Sequence, residues 1–218
     1  MIKGAIFDFD GTLFDSMYIW ATMGETYLRS IGLEPRENLN EKFKTLSLYT
    51  AALYYQTEYG VTLSVQEIMN GINSLAEIHY REKVIPKPGI PQFLADLKEK
   101  GVRMCIATAS DKYLIEAALQ RCGISQYFSE IFTCTSVGHG KDEPVIYRKA
   151  LEHLGTKKCE TVVFEDSLHA VKTAKNDGFT VSAVFDTYEK EQDAVKRLSD
   201  FYITDFSDLH DFWKFASN

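Results

Sequence analysis

Two aspartates, Asp8 and Asp10, lie one residue apart at the end of an apolar run, in the stretch FDFDGTLFDS. Side chains alternate along a strand, so residues two apart share a face and these two carboxylates could point toward one site. Paired carboxylates repel each other unless a cation or a proton compensates their charge. The pattern is weak on its own, because it arises by chance in roughly one chain of this length in ten.

Polar residues also follow three other predicted strands. Residues 108–110, Thr-Ala-Ser, form a hydroxyl-rich turn before a helix, where exposed N–H groups and the helix dipole suit an anion. Lys141 precedes the helix that comes after the third strand. Glu165 and Asp166 follow an apolar run, and adjacent acids there are costly to bury without a divalent cation such as Mg²⁺.

Each of these groups also has a simpler interpretation. Ser110 or Asp111 could cap the helix that follows, as could Ser167 after the acidic pair. A lysine in a loop such as that of Lys141 is usually solvated. All four groups nevertheless lie at predicted strand ends. Ligands of parallel α/β sheets bind beyond the carboxyl ends of the strands, so the four groups together predict one site.

The hydrophobic pattern predicts the elements that would position these groups. A first strand, in IKGAIFDFD, is followed by a wholly helical block over residues 16–87, for which Ser16 is a candidate helix cap. The helix breakers at residues 85–91 are the best candidate for a linker. Beyond them, strands alternate with helices of about 10 to 12 residues. The further strands are predicted in VRMCIAT, IFTCT, TVVFE, TVSAVF and FYIT.

Alternating strands and helices are typical of βαβ units and a parallel sheet. We therefore predict an α/β fold, with a doubly wound, Rossmann-like parallel sheet that is interrupted after its first strand by a small helical insertion. The predicted core comprises residues 1–15 and 88–218, and the insertion comprises residues 16–87.

Charge and composition argue against several classes of function. The net charge is −7 and no Lys/Arg run exceeds a pair, so we expect no nucleic-acid partner. The N-terminal apolar stretch is too short for a signal peptide or a membrane span, so we expect no membrane contact and a cytoplasmic location. The four cysteines lack the spacing of a zinc site or a disulfide framework, and we expect free, buried thiols.

The four polar groups together resemble the sequence motifs of the haloacid dehalogenase superfamily, in its branch of small phosphatases and phosphomutases with a helical cap. The resemblance covers essentially the whole chain, and the helical insertion stands where that family has its cap. The matching residues are Asp8-Phe9-Asp10-Gly11-Thr12-Leu13, Thr108-Ala109-Ser110, Lys141 with Pro144 and Tyr147, and Phe164-Glu165-Asp166-Ser167. The resemblance implies a phosphoric monoester hydrolase that acts on a small phosphorylated metabolite.

The resemblance gives the two aspartates different roles. Asp8 would be the nucleophile that attacks a phosphate monoester and forms an aspartyl-phosphate. Asp10 would act first as a general acid on the leaving alkoxide and then as a general base for water. Gly11 would permit the turn out of the strand, and Thr12 would help to hold that turn.

The resemblance also implies Mg²⁺ as the cofactor. Asp8, the backbone carbonyl of Asp10 and Asp166 would bind the ion together with a phosphoryl oxygen. Glu165 would bind the ion through a water molecule, or would lie next to the ligands without binding the ion itself.

Three groups would hold the remaining phosphoryl oxygens, namely Thr108, the N–H of Ala109 and Lys141. The sequence departs from the family pattern at two positions. Asp142 stands where a proline often follows the lysine, and Ala170 stands where a glycine often follows the acidic pair. Neither departure removes a catalytic group.

Three alternatives compete with this interpretation. A haloacid dehalogenase proper attacks carbon and needs neither Asp10 nor the acidic pair, which argues against it. A sugar phosphomutase of the β-phosphoglucomutase type shares all four motifs, but such mutases carry a histidine where this chain has Trp20 in the first helix of the insertion. A non-catalytic module that binds a phosphometabolite or a phosphoprotein is the third alternative, although no catalytic acid is lost.

The helical block leaves the substrate open. Its aromatic and basic residues could line a substrate pocket, but aromatic residues at helical spacing more often form a core. These residues are Tyr18, Trp20, Tyr49, Tyr54, Tyr55, Tyr59, Tyr80, Arg81, Lys42 and Lys44. The sequence therefore identifies neither the metabolite nor the oligomeric state.

Overall fold

The computed structural model describes residues 1–43, 46 and 48–217, so Lys44 lies outside the described residues. The strands are β1 Gly4–Phe7, β2 Phe14–Asp15, β3 Ile85–Pro86, β4 Arg103–Thr108, β5 Ile131–Thr133, β6 Thr161–Glu165, β7 Thr180–Val184 and β8 Phe201–Ile203. The helices are α1 Met17–Ser30, α2 Leu39–Phe43, α3 Leu48–Tyr59, α4 Val65–Glu82, α5 Ile90–Glu99, α6 Lys112–Arg121, α7 Cys134–Val137, α8 Val145–Leu154, α9 Leu168–Asn176, α10 Gln192–Leu198 and α11 His210–Ser217. None of the helices in the described residues is both long and apolar enough to cross a membrane.

The main sheet is parallel, with the strand order β5-β4-β1-β6-β7-β8. β1 lies near its centre, where Phe7 pairs with Ile106 of β4 on one side and with Phe164 of β6 on the other. The chain winds from β1 toward one edge and then crosses to the other edge through β6, which confirms the predicted doubly wound α/β fold. Ligands of such sheets bind in the crevice at this change of direction, beyond the carboxyl ends of the strands.

Hydrophobic clusters cover both faces of the sheet. Because side chains alternate along β1, Phe7 packs into one cluster and Ile6 into the other. In the first cluster, Phe7 stacks on Phe164 with ring centroids 4.4 Å apart, and Phe93 of α5 packs against both rings. The second cluster includes Tyr147 of α8. The central strands are therefore buried on both faces, which fixes the relative positions of their carboxyl ends.

Helices α1 to α4 occupy the chain between β2 and β3, so the predicted helical block is present. β2 and β3 form an antiparallel pair, with Phe14 opposite Pro86 and Asp15 opposite Ile85. This pair was not predicted, because two-residue strands are too short to show a hydrophobic period. The domain boundaries, residues 1–15 with 88–218 and residues 16–87, stay a prediction.

Two expectations about single residues are wrong. Cys105 is buried as expected, but Cys122 and Cys134 are half-buried and Cys159 is exposed, although all four thiols are free. Ser16 and Ser167 precede α1 and α9, but neither side chain caps its helix. The Ser16 hydroxyl instead donates to Asp10 at 2.6 Å.

Candidate active site

Three buried carboxylates meet at the carboxyl ends of β1 and β6. Asp8 follows β1, and its N–H donates to the carbonyl oxygen of Phe164 at 2.9 Å, so the pairing of the two strands continues into the site. Glu165 ends β6 and Asp166 follows it. One carboxylate oxygen from each acid lies within 4.8 Å of the other two. The fold thus brings together three of the predicted site residues.

Lys141 lies in the same cluster and is buried, not solvated. Its ammonium donates to the carboxylate of Asp8 and, at 2.5 Å, to Oε1 of Glu165. Tyr147 of α8 donates to the same Glu165 oxygen at 2.8 Å. Burial alone would lower the pKa of Lys141, but Asp8 and Glu165 outweigh burial and raise that pKa above its usual value. Lys141 is therefore a fixed positive charge beside Asp8.

The charges of this cluster do not balance, because three carboxylates share the one ammonium that contacts them in the described residues. Burial raises the pKa of Asp8 to about 8; Lys141 opposes the shift, while Glu165 and Asp10 add to it. Burial likewise raises the pKa of Asp166, and Asp8 and Glu165 add to that shift. Buried carboxylates in excess of the nearby cations are a ligand set that suits a hard divalent cation, so these residues fit Mg²⁺.

The turn after β1 holds Asp166 in place. Gly11 has a φ of +82°, a left-handed conformation that favours glycine. A Cβ atom at this position would meet the Asp166 carboxylate and lie 2.8 Å from its Cγ atom. The hydroxyl of Thr12 donates to Oδ1 of Asp166 at 3.1 Å. The predicted turn residues therefore also shape the acidic cluster.

The Asp10 carboxylate lies outside this cluster and is surrounded by hydroxyl groups. Ser16 donates to its Oδ1 at 2.6 Å, and Ser110 donates to its Oδ2 at 2.6 Å. The hydroxyl of Tyr80, from α4, donates to Oδ1 as well. The predicted metal contact of Asp10 was through its backbone carbonyl, and that contact stays a prediction.

The turn after β4 has its own hydrogen bonds. Thr108 is buried, and its hydroxyl accepts from the Ser110 N–H at 3.1 Å, whereas Ala109 is exposed. Neither Ser110 nor Asp111 caps α6 through its side chain, so that simpler interpretation is wrong. Asp111 accepts instead from Asn73 of α4 at 2.5 Å. The turn therefore contacts the helical insertion directly.

The model sequence profile of the haloacid dehalogenase-like hydrolase family matches residues 5–184. The chain belongs to this family. Family membership confirms the resemblance predicted from the four motifs and the prediction that the chain is a hydrolytic enzyme. The match extends over β1, the helical insertion and the sheet through β7.

Named members of the haloacid dehalogenase-like family are similar to this chain over most of its length. Phosphorylated carbohydrates phosphatase from Thermotoga maritima is 24% identical over 177 residues, 81% of this chain and 82% of that protein. Hexitol phosphatase B from Escherichia coli is 26% identical over 211 residues, 95% of this chain and 94% of that protein.

Solved structures of other proteins have the same fold as this chain. The crystal structure of CbbY from Rhodobacter sphaeroides in complex with phosphate has a TM-score of 0.84 and 23% sequence identity, and the match covers 96% of this chain and 97% of that one. A mutant of the same protein was solved with xylulose-(1,5)-bisphosphate. At this identity the similarity shows the fold alone.

Some residues of the site were missed by the sequence interpretation. Tyr80 was considered only as one of many aromatic residues of the insertion, and Asn73 was not considered. Both lie on α4, far along the chain from their partners Asp10 and Asp111. No local sequence pattern marks such contacts, because they depend on how α4 packs against the sheet.

Proposed function

We propose that this chain is a Mg²⁺-dependent phosphatase that hydrolyses the phosphate monoester of a small metabolite through an aspartyl-phosphate on Asp8. The observation that carries the proposal is the contact between the Asp8 carboxylate and the buried ammonium of Lys141, in a cluster completed by Glu165 and Asp166. A carboxylate approaches a phosphate dianion only where positive charge compensates their repulsion. This site offers a fixed ammonium and ligands for a divalent metal.

The reaction proceeds in two steps. In the first, an oxygen of Asp8 forms a bond to phosphorus, the bond from phosphorus to the leaving oxygen breaks, and Asp10 gives that oxygen a proton. In the second, the oxygen of water forms a bond to phosphorus, the bond to Asp8 breaks, and a water proton passes to Asp10. The products are an alcohol and inorganic phosphate, and both aspartates regain their starting forms.

Lys141 and the turn at residues 108–110 hold the phosphoryl group. An ammonium has three donors, and Asp8 and Glu165 accept from Lys141, which leaves one donor for a phosphoryl oxygen. The Ala109 N–H and the Thr108 hydroxyl, at the carboxyl end of β4, would bind the other oxygens. Such fixed donors supply the positioning and charge stabilisation that phosphoryl transfer needs.

Asp8, Asp166 and the backbone carbonyl of Asp10 would hold Mg²⁺. Glu165 would not bind the ion directly but would accept the hydrogen bond of Lys141 next to these ligands. When bound, the ion neutralises charge between the nucleophile and the phosphoryl group. The unbalanced negative charge of the buried cluster supports this assignment.

Relatives support a carbohydrate-like substrate. The names of two similar proteins specify phosphorylated carbohydrates and a hexitol phosphate as the compounds on which they act. We therefore expect a panel of small phosphate monoesters, led by sugar and sugar-alcohol phosphates, to release phosphate only with Mg²⁺. Absence of release from the whole panel at saturating Mg²⁺ would count against a phosphatase.

The sugar phosphomutase remains the second candidate. The indole N–H of Trp20 donates to the Tyr80 hydroxyl at 3.0 Å. An indole is a donor only and cannot shuttle a proton as histidine does, so this contact favours hydrolysis. Isomerisation of a sugar phosphate without phosphate release would identify the mutase instead.

Mg²⁺ should stabilise the protein more at about pH 8 than at about pH 5. Burial raises the pKa of Asp8 from 3.8 to about 8. A carboxyl group whose pKa is raised on folding favours the folded state below its unfolded pKa, and this contribution is lost as pH rises through the folded pKa. The metal-free protein therefore loses stability over this range, and Mg²⁺ restores it. Thermal unfolding with Mg²⁺ or with a chelator at both pH values tests this; an equal Mg²⁺-induced shift at the two would contradict it.

Gly11→Ala should impair both stability and catalysis. The left-handed backbone costs about 1–2 kcal/mol for an L residue, and the new methyl group must displace Asp166. Such a displacement should lower kcat by about 10²-fold. Gly32→Ala is the matched control, because Gly32 has a φ of +79° and nothing within 4 Å of its Cβ position. Steady-state kinetics and thermal unfolding should show that Gly32→Ala is less stable but keeps the native kcat. Equal kcat values for Gly11→Ala and Gly32→Ala would refute the role of Gly11.

A further inference from the structure

The carboxylate of Asp10 is held by three hydroxyl groups from three different parts of the chain. Ser16 lies between β2 and α1, Ser110 follows β4, and Tyr80 lies in the last turn of α4. The two serines come from segments next to the sheet, whereas Tyr80 comes from the helical insertion. Oδ1 of Asp10 is therefore held by Ser16 and Tyr80, and neither residue belongs to the four motifs.

The hydrogen bond between Tyr80 and Asp10 has a defined direction. The indole of Trp20 can only donate, and it donates to the Tyr80 oxygen at 3.0 Å. The hydroxyl proton of Tyr80 is then free to point at the Asp10 carboxylate, which accepts it. Ser110 is a second contact of the same hydroxyl, at the longer distance of 3.4 Å. Trp20 thus occupies one lone pair of the Tyr80 oxygen and leaves the hydroxyl proton for Asp10.

Packing, not the hydrogen bond, fixes the ring of Tyr80. The side chain is fully buried, and its ring stacks on Phe9 with centroids 6.0 Å apart. Phe9 in turn stacks on Phe14 with centroids 4.3 Å apart. The hydroxyl oxygen is therefore held at its place even without Asp10, and removal of that oxygen alone should leave the packing intact.

We infer that Trp20 and Tyr80 are a positioning pair that holds the carboxylate of Asp10 where it accepts the water proton in the second step. This inference rests on the proposed function, because it concerns the base of that reaction. Both residues act through Asp10, because Tyr80 contacts its carboxylate and Trp20 contacts Tyr80. Through this pair the helical insertion sets the geometry of a group on the β1 turn.

The test separates the two steps with p-nitrophenyl phosphate, whose phenolate leaves without a proton from Asp10. Rapid quenching would follow p-nitrophenolate in the first turnover and phosphate release afterwards, at saturating Mg²⁺. Tyr80→Phe should leave the first-turnover rate within about threefold and slow phosphate release by about 10–100-fold, since a hydrogen bond to a charged group is lost. A purely structural role would slow both steps together.

Tyr55→Phe is the matched control. Tyr55 is also fully buried in the insertion, and its hydroxyl donates to the Gly24 carbonyl at 2.9 Å, away from Asp10. We expect Tyr55→Phe to lose thermal stability and to keep the native rates of both steps.

A double-mutant cycle tests whether Trp20 acts through Tyr80. Trp20→Phe alone should slow phosphate release less than Tyr80→Phe, and the variant with both substitutions should be no slower than Tyr80→Phe. If the two substitutions slow phosphate release independently, so that their effects multiply in the double variant, Trp20 does not act through Tyr80.

The outcomes distinguish this inference from the proposed function. If the native protein turns over substrate and Tyr80→Phe has native rates in both steps, the positioning role is overturned and the proposed phosphatase function stands. A native protein that releases no phosphate from p-nitrophenyl phosphate or any panel substrate would overturn both.

Discussion

Asp8→Asn is expected to lower phosphatase turnover by about 10⁴-fold or more while the protein stays folded. An amide is not a nucleophile, so no aspartyl-phosphate can form at this position. The substitution also removes one of three buried carboxylates that repel each other, and Lys141 keeps its ion pair with Glu165. The metal-free variant should therefore unfold at the same temperature as the native protein or at a higher one.

The matched control is Asp15→Asn, the same substitution at an exposed position on β2. We expect its kcat/KM to equal that of the native protein. Phosphate release and thermal unfolding of the three proteins, measured side by side, check both statements. If the Asp8→Asn variant retains more than a trace of phosphatase turnover, Asp8 is not the nucleophile.

Lys141→Met is expected to have the second largest effect, on stability and on catalysis together. The ammonium of Lys141 bonds two buried carboxylates, and removing one partner of a buried ion pair typically costs about 3–5 kcal/mol. Lys141 also holds down the pKa of Asp8, so the variant should need a more alkaline pH to ionise its nucleophile. Loss of a fixed positive charge near the phosphoryl group should lower kcat by about 10²–10³-fold.

Lys112→Met is the control for this variant. Lys112 forms an ion pair with Glu130 at 2.6 Å, but the two side chains are 49% and 38% exposed. Exposed pairs contribute about 0–1 kcal/mol, so Lys112→Met should change neither stability nor kcat appreciably. Denaturant unfolding and pH–rate profiles of both variants provide the comparison. Indistinguishable results for Lys141→Met and Lys112→Met would contradict the structural account of Lys141.

Much of the fold and the acidic cluster could be predicted from the sequence for a physical reason. Parallel strands place their carboxyl ends at one edge, so Asp8, Glu165 and Asp166 could be expected to meet once their strands were assigned. The apolar runs before them are long enough to assign as strands. The same reasoning placed residues 108–110 at that edge.

Other features could not be read from local patterns. Lys141 follows a three-residue strand, β5, and nothing in its loop distinguishes a buried lysine from a solvated one. Tyr80 reaches Asp10 only because α4 packs against the sheet, and its spacing in α4 is that of an ordinary core residue. Ser16 has the sequence position of a helix cap, but its hydroxyl donates to the Asp10 carboxylate and accepts no backbone N–H of α1.

The most direct test of the central claim is to identify the phosphorylated residue. In Asp10→Asn, p-nitrophenyl phosphate should still phosphorylate the enzyme, because its leaving group needs no proton, but the base of the second step is missing. Acid quenching, peptic digestion and mass spectrometry should find one phosphoryl group on the peptide that contains Asp8, removable by hydroxylamine. A phosphoryl group on another residue, or none while the native protein turns this substrate over, would contradict the account.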